Sequence, residues 1–244
     1  MPFLPKQAYA PNVDLDHQIV GDSITRIAEE FLKLIKLLLP NVVVHDNGCS
    51  SGQNRSHSRM ARARVSKMPA ESLELADATF TRSFSDLLLL ATRNIGNDAR
   101  EIYRTLKPGG TAVATWFNRI LHQEIIKNIH TELRGDGVSL PHGMPSAWYD
   151  GKFFTCVPEN GGVDSGNTAK YIVDTQCGIP DLRRWTAMLW SYVGCPAGGW
   201  TLADEEKWGD AVAKILQNLK TSLLYKRSRA GGMLMKFNVC IATK

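Results

Sequence analysis

A short β-branched run, Val42-Val43-Val44-His45, leads into Asp46-Asn47-Gly48-Cys49-Ser50-Ser51-Gly52. A strand that ends on an acidic residue and a tight glycine turn can present backbone N–H groups to the polar end of a nucleotide-type cofactor. Gly48 permits close backbone approach, and Gly52 permits packing against a following helix. Turns after buried strands are also glycine-rich for steric reasons alone. The motif by itself therefore leaves cofactor binding and a purely structural turn level. It departs from the dinucleotide G-x-G-x-x-G, since Ser50 stands where a second glycine would be.

Other residues have chemistry open to them. His122 and His142 are weak candidates for a general base near neutral pH, in the stretch where a substrate lid would sit; surface decoration is the alternative. His45, ending a strand, reads as structural. Trp116, Trp148 and Tyr149 fit an apolar acceptor pocket, with core packing an equal reading for Trp116. Arg55, Arg59, Arg62, Arg64 and Lys67 form a basic block that fits either a phosphate site or, as the preferred reading, a solvated helix face. The five cysteines are scattered, with no CxxC pair or His/Cys cluster, so no metal site is predicted.

The elements that must position these groups follow from periodicity. Residues 1–21 read as an irregular arm. Asp22 or Ser23 then caps a helix whose apolar face is Ile24, Ile27, Ala28, Phe31, Leu32, Ile35, Leu38 and Leu39, stopped by Pro40. Residues 42–45 read as a buried parallel strand and 54–64 as a weak helix. Residues 78–84 form a strand running into the apolar stretch 87–90. Residues 98–106 form a helix that Lys107-Pro108-Gly109-Gly110 ends with a basic C-terminal residue, a proline and two glycines, and 111–117 form a strand. The pattern is less regular over 118–199. A long amphipathic helix over 204–224 places Trp208, Val212, Ile215, Leu216 and Leu219 inward, and 234–243 closes the chain as a strand. Strands alternating with helices give an α/β class, a mostly parallel doubly wound sheet whose last strand is antiparallel and reached by a hairpin-like return.

In these terms the chain resembles the class I S-adenosylmethionine-dependent methyltransferases, in particular the fungal small-molecule, secondary-metabolite type. Residues 46–52 look like the family's first motif, D/E-x-G-x-G-x-G, and Leu106-Lys107-Pro108-Gly109-Gly110 looks like its link into the fifth strand. The end of the chain, 231–244, and the segments around Trp200 and Trp208 are also similar. The likeness covers most of 24–117 and 199–244. It implies a Rossmann-like methyltransferase sheet and S-adenosyl-L-methionine as cofactor. It further implies a cofactor site of Asp46, Gly48, Cys49, Ser50, Gly52, Ala70, Glu71 and Ser83.

Two departures bear on the cofactor. No Asp or Glu lies between Asp46 and Glu71, where such folds place a ribose-binding acid about 20 residues past the glycine turn. Residues 68–73 look like the family's segment after the third strand but arrive early, so one βα unit, the second strand and its helix, reads as missing. Pro69 then stands at the usual adenine-binding acid, leaving Glu71 as a substitute. Cofactor binding is expected to be weak or lost.

The expected function is methyl transfer to a small secondary-metabolite acceptor. The alternative is a catalytically silent methyltransferase-like protein serving as a scaffold, an enzyme partner, or a non-methylating isomerase or cyclase. NADP binding through the basic block is a weaker third reading. The net charge of +5 is not gathered into an arm or long tract, so no nucleic-acid partner is expected. The N-terminus has no apolar signal-peptide region and no stretch spans a bilayer, which predicts a cytoplasmic protein without membrane contact, as a homodimer or beside a partner enzyme. One domain is expected over 1–244: arm and helix (1–40), cofactor-binding half (41–117), substrate or lid region (118–200), and C-terminal helix and strand (201–244).

Overall fold

In the computed structural model, residues 3–35, 41–48, 64–90, 92–142, 161–222, 225 and 232–244 are described. The predicted amphipathic helix is α2, Ser23–Leu34, and its apolar stripe is the buried one, with Ile27, Phe31 and Ile35 out of solvent. Burying a side chain of this size contributes about 1.5–3 kcal/mol. The arm before it is not irregular throughout. Residues Val13–Val20 form helix α1, whose first turn is capped by the Asn12 side chain accepting from the Leu15 N–H at 2.7 Å. An asparagine cap substitutes for the longer apolar repeat that would have marked this helix in the sequence.

Among the described residues the sheet has five strands in the order β1-β2-β3-β5-β4. They are β1 (Val44–Asp46), β2 (Phe80–Asp86), β3 (Leu106–Arg119), β4 (Thr168–Gly178) and β5 (Gly232–Thr243). β1 pairs parallel with β2, and β2 parallel with β3. β5 returns antiparallel along β3: Gly109 donates to the Lys244 carbonyl at 2.8 Å and Lys244 donates to Gly110 at 3.0 Å. The sheet is thus α/β, mostly parallel, with an antiparallel C-terminal strand. The return is not a hairpin, because among the described residues three helices separate β4 from β5: α5 (Leu182–Val193), α6 (Leu202–Glu206) and α7 (Trp208–Thr221).

Several expectations change once tertiary contacts are present. The run 42–45 gives a parallel strand but not a buried one. Among the described residues β1 is an edge, with Val43 41% and Val44 46% exposed. Residues 64–69 are irregular and form no strand beside it, and the weak helix expected over 54–64 lies outside the described residues except for Arg64. The apolar run after β2 makes a single short turn, Leu88–Leu90. The 204–224 helix is two helices, α6 and α7, joined at Lys207. The stretch 118–199 holds regular elements as well: α4 (Leu121–Arg134), β4 and α5.

The Lys-Pro-Gly-Gly link is a bulge rather than a free turn. Helix α3, Ile95–Thr105, passes directly into β3. Phe80 pairs with Leu106 and Arg82 with Thr111, so the four residues 107–110 stand against Thr81 alone, three more on the β3 side than on β2. Gly109 sits at φ +73°, where an L side chain is strained. The basic residue that ends α3 is Lys244, not Lys107. Its ammonium reaches the carbonyls of Tyr103 (2.8 Å) and Leu106 (2.9 Å).

The chain divides into two compact units with interleaved segments: Met1–Ile27, Arg119–Trp148 and Asp174–Lys236, and Ala28–Asn118, Tyr149–Val173 and Phe237–Lys244. The second has a core of Leu89, Ala99, Ala114, Trp116 and Cys240. Trp116 is fully buried there, which makes it a packing residue. In the first, Arg134 is ion-paired to Asp204 at 2.6 Å with its guanidinium over the rings of Trp190 (4.7 Å) and Trp200 (5.1 Å). No helix among the described residues is long and apolar enough to cross a membrane.

Candidate functional site

Because β1, β2 and β3 run in one direction, their C-terminal ends gather side chains from three separate parts of the sequence. Successive residues face opposite sides of the sheet, so the seam between β1 and β2 carries two rows. In one row His45 meets Ser83 at 3.1 Å, and the Asn47 amide donates to the Ser85 hydroxyl at 3.4 Å. His45 also stacks on Phe80, with centroids 4.8 Å apart, and burial lowers its pKa to about 4, so it is a neutral structural imidazole. The other row ends in Asp46 and Asp86.

Asp86 is a residue the sequence reading missed. Burial pushes its carboxyl up to about 6, against a hydrogen bond from the Thr115 hydroxyl that lowers it, and Asp46 raises it further. Desolvation also raises the Asp46 carboxyl. The sequence signal was present but local only: Asp86 is the last polar residue before the apolar run, the strand-end position where open α/β sheets place ligands.

Beyond β1 the Asn47 N–H still bonds the Phe84 carbonyl at 2.8 Å, and the chain then turns at Gly48, φ +91°. A Cβ at Gly48 would lie 2.7 Å from Leu88 Cδ1. The turn after β1 therefore packs directly against the turn after β2, and only glycine allows it.

These turns form two walls of a cavity of about 520 Å³. Asn47 and Gly48 line the first wall, and Leu88, Thr92 and Arg93 the second. The third is the irregular segment of Met68, Pro69, Ala70 and Glu71. That volume lies within the usual range for small-molecule sites, about 300–1,000 Å³. Glu71 ties two walls together by accepting the Arg93 N–H at 3.0 Å. Hydrogen bonds from its own backbone and from Arg93 hold its carboxyl below the ordinary value.

Behind this wall Asp98, in the first turn of α3, is sealed from solvent. Burial raises its carboxyl, against a compensating contact from Thr92, and Glu71 raises it further. Neither of its oxygens reaches a partner at full hydrogen-bond geometry. A buried acid in a helix's first turn gave no sequence signal distinct from an N-terminal dipole partner.

Of the predicted cofactor residues, Gly48, Ala70 and Glu71 line the cavity. Asp46 ends the strand beside it. Ser83 is buried against His45 and is not a lining residue. Cys49, Ser50 and Gly52 lie outside the described residues, as do Trp148 and Tyr149. His122 is not in a loop. It sits in α4, buried at 7% exposure and edge-on to Trp185, and burial lowers its pKa to about 4. His142 is exposed and stacks on Tyr192, centroids 4.7 Å apart. Neither histidine lines the cavity. Arg64 and Lys67, the described part of the basic block, are exposed. No group of three or more His, Cys, Asp or Glu among the described residues converges to hold a metal ion.

No family model matches the chain, and no curated protein matches it in sequence. Solved structures are similar to it. One, from Anabaena variabilis, is described as a methyltransferase from an antibiotic biosynthesis pathway. It is 18% identical, with 93% of this chain and 100% of that one covered, at a TM-score of 0.50. An S-adenosylmethionine-dependent methyltransferase of Thermotoga maritima is 13% identical, with 95% and 96% covered, at 0.49. The [4+2]-cyclase SpnF is 15% identical, with 100% and 98% covered, at 0.44. At 18% identity and a TM-score of 0.50, the likeness to the Anabaena structure is one of fold, a mostly parallel Rossmann-like sheet.

Proposed function

We propose that the chain transfers a methyl group from S-adenosyl-L-methionine to a small-molecule acceptor of the secondary-metabolite kind. The observation that carries this reading is the cavity itself. It lies at the C-terminal ends of parallel strands and is walled by the turn after β1, residues 68–71 and the turn after β2. Open α/β sheets bind their ligands at such strand ends.

The lining fits the cofactor in part. Asn47 and Gly48 would hold its methionine end beside Asp46, with Ala70 and Glu71 toward its adenosine end. When bound, the cofactor supplies an electrophilic methyl group on a sulfonium. The chain's own task is then to hold an acceptor in line with it, and positioning of this kind supplies much of the rate. Asp86, with a pKa of about 6, ends β2, the strand whose following turn walls the cavity. It is mostly ionised at neutral pH and suited to take a proton from an acceptor hydroxyl or amine.

A second reading, a methyltransferase-like protein that has lost catalysis and serves as scaffold or enzyme partner, is favoured by one wall. Pro69 lines the cavity where the family places an acid, and Glu71 spends one carboxylate oxygen on the Arg93 N–H. A lost hydrogen bond to a buried ligand group costs about 1–3 kcal/mol, so two such losses weaken binding about a hundredfold.

Isothermal titration with S-adenosylmethionine and S-adenosylhomocysteine separates the two. The methyl-transfer reading expects weak, saturable binding that Gly48→Val abolishes and Asp86→Asn leaves in place. A wild-type protein that is folded by circular dichroism and takes up no heat moves the assignment to the silent scaffold. The cytoplasmic location belongs to the same proposal.

A further inference from the structure

We infer that β4 is an interface through which two copies of this chain join their sheets edge to edge, about a two-fold axis at Ile172. β4 is the terminal strand in the order β1-β2-β3-β5-β4 and runs for 11 residues, Thr168–Gly178. Strands average about 5–6 residues, and long edges are normally blunted by proline, bulges or inward-turned charge. Here neither proline nor glycine interrupts 168–177. Lys170, Tyr171 and Ile172 are consecutive exposed residues, with Tyr171 at 40% and Ile172 at 64%. Among the described residues no strand lies beyond this edge, which offers backbone donors and acceptors together with apolar side chains.

The side chains identify the occupant as a second copy. The segment Lys170-Tyr171-Ile172-Val173-Asp174 is complementary to itself when reversed. In an antiparallel pairing centred on Ile172, Lys170 stands opposite Asp174 of the second copy, Asp174 opposite Lys170, and Ile172 opposite Ile172. These three positions alternate along the strand, so they share one face of the sheet. The joined edge then has an apolar centre flanked by two opposite-charge pairs. Asp174 already accepts from Lys236 on β5 through Oδ1 at 2.6 Å, which leaves Oδ2 for the incoming lysine. Charge fixes the register as well. A slip of one residue sets Lys170 against Val173 and Asp174 against Ala169, losing both pairs and moving Ile172 off the axis. The interface is isologous, as a closed dimer requires, and joins two five-stranded sheets into one.

Sedimentation equilibrium of the full chain over a wide concentration range tests this, with circular dichroism confirming that each variant is folded. Wild type should pass from monomer to dimer. Ile172→Lys and Lys170→Glu should each raise the dimer dissociation constant about tenfold or more, since each change acts twice across the axis. Ile172 is solvent-exposed, so its replacement leaves the fold intact.

A mixing experiment reads the register directly. Lys170→Glu and Asp174→Lys each bring like charges together in a homodimer. A mixed dimer restores two opposite pairs. The introduced glutamate of one variant faces the introduced lysine of the other, and the retained Asp174 of the first faces the retained Lys170 of the second. Two variants that are monomeric alone and dimeric when mixed support the interface. A wild type that stays monomeric throughout, or a dimer indifferent to Ile172→Lys and Lys170→Glu, overturns it.

Discussion

Thr115 on β3 donates its hydroxyl to the Asp86 carboxylate at the end of β2, and the two are direct partners in the parallel register. Two strands from different parts of the chain thus hold one acid at the mouth of the sheet, with its pKa lifted to about 6. Register, burial and a single hydroxyl together set its protonation state.

That lift has a definite consequence for stability. The folded pKa of Asp86 is above its ordinary value of 3.8, so its contribution is fully present below that value and is lost as pH rises through about 6. A shift of this size corresponds to about 2–3 kcal/mol. Asp86→Asn should therefore gain stability relative to wild type at pH 8 and little at pH 4, in urea unfolding at both values. Thr115→Val removes the hydrogen bond that lowers the pKa and should move the carboxyl resonance midpoint higher. A midpoint that falls instead would falsify the assignment.

Histidine burial acts in the opposite direction. His45 and His122 are both lowered to about 4 by desolvation, below the ordinary 6.5. Each contributes stability that is present above 6.5 and lost as pH falls toward 4, up to about 3 kcal/mol apiece. Replacing both with glutamine should flatten the dependence of thermal midpoint on pH between 6.5 and 4. An acid limb as steep as the wild type's would show that carboxylates carry it.

At Gly48 two constraints coincide: a left-handed φ of +91° and a Leu88 methyl 2.7 Å from any added Cβ. Gly48→Ala should cost about 1–2 kcal/mol, and Gly48→Val more, since a β-branched residue tolerates that backbone least. Leu88→Ala in the Gly48→Ala background should recover the steric part but not the backbone part. Full recovery would mean that the φ carries no strain.

Arg134 and Asp204 allow a comparison between buried and exposed ion pairs. Both side chains are 9% exposed, whereas the Arg119–Glu124 pair is 56% and 39% exposed. Arg134→Met leaves a buried carboxylate unpaired and should cost about 3–5 kcal/mol. Arg119→Met should cost about 1 kcal/mol or less. Equal losses in denaturant unfolding would remove the distinction. Burial would raise the Asp204 carboxyl, but hydrogen bonds from Thr201 and Arg134 bring it below its ordinary value. This pair's contribution is therefore lost on acidification below the normal carboxylate range.

What the sequence determined by itself is whatever repeats locally. The stripe of α2 through Ile27, Phe31 and Ile35, the parallel strand ending at Asp46, the turn at Gly48 and the strand at the end of the chain all follow from periods of 3.6 and 2 or from the backbone freedom of glycine. Ala70 and Glu71, which line the cavity, were marked by the family resemblance and not by any local period. Tertiary structure alone decided the partners. Lys244 rather than Lys107 ends α3, because a carbonyl cluster is capped by whichever ammonium the sheet carries to it. Val43 and Val44 are exposed although their composition is that of a buried strand, because burial depends on neighbours in the sheet and β1 is an edge among the described residues. His122 is sealed in a helix rather than free in a lid, and Asp86 is lifted to about 6 by burial among the strands, against the Thr115 hydroxyl that β3 brings beside it. Propensity is written within a few residues. Burial, pKa and hydrogen-bond partners are set between residues far apart in the chain, which is why the turn could be read early and the acid beside it could not.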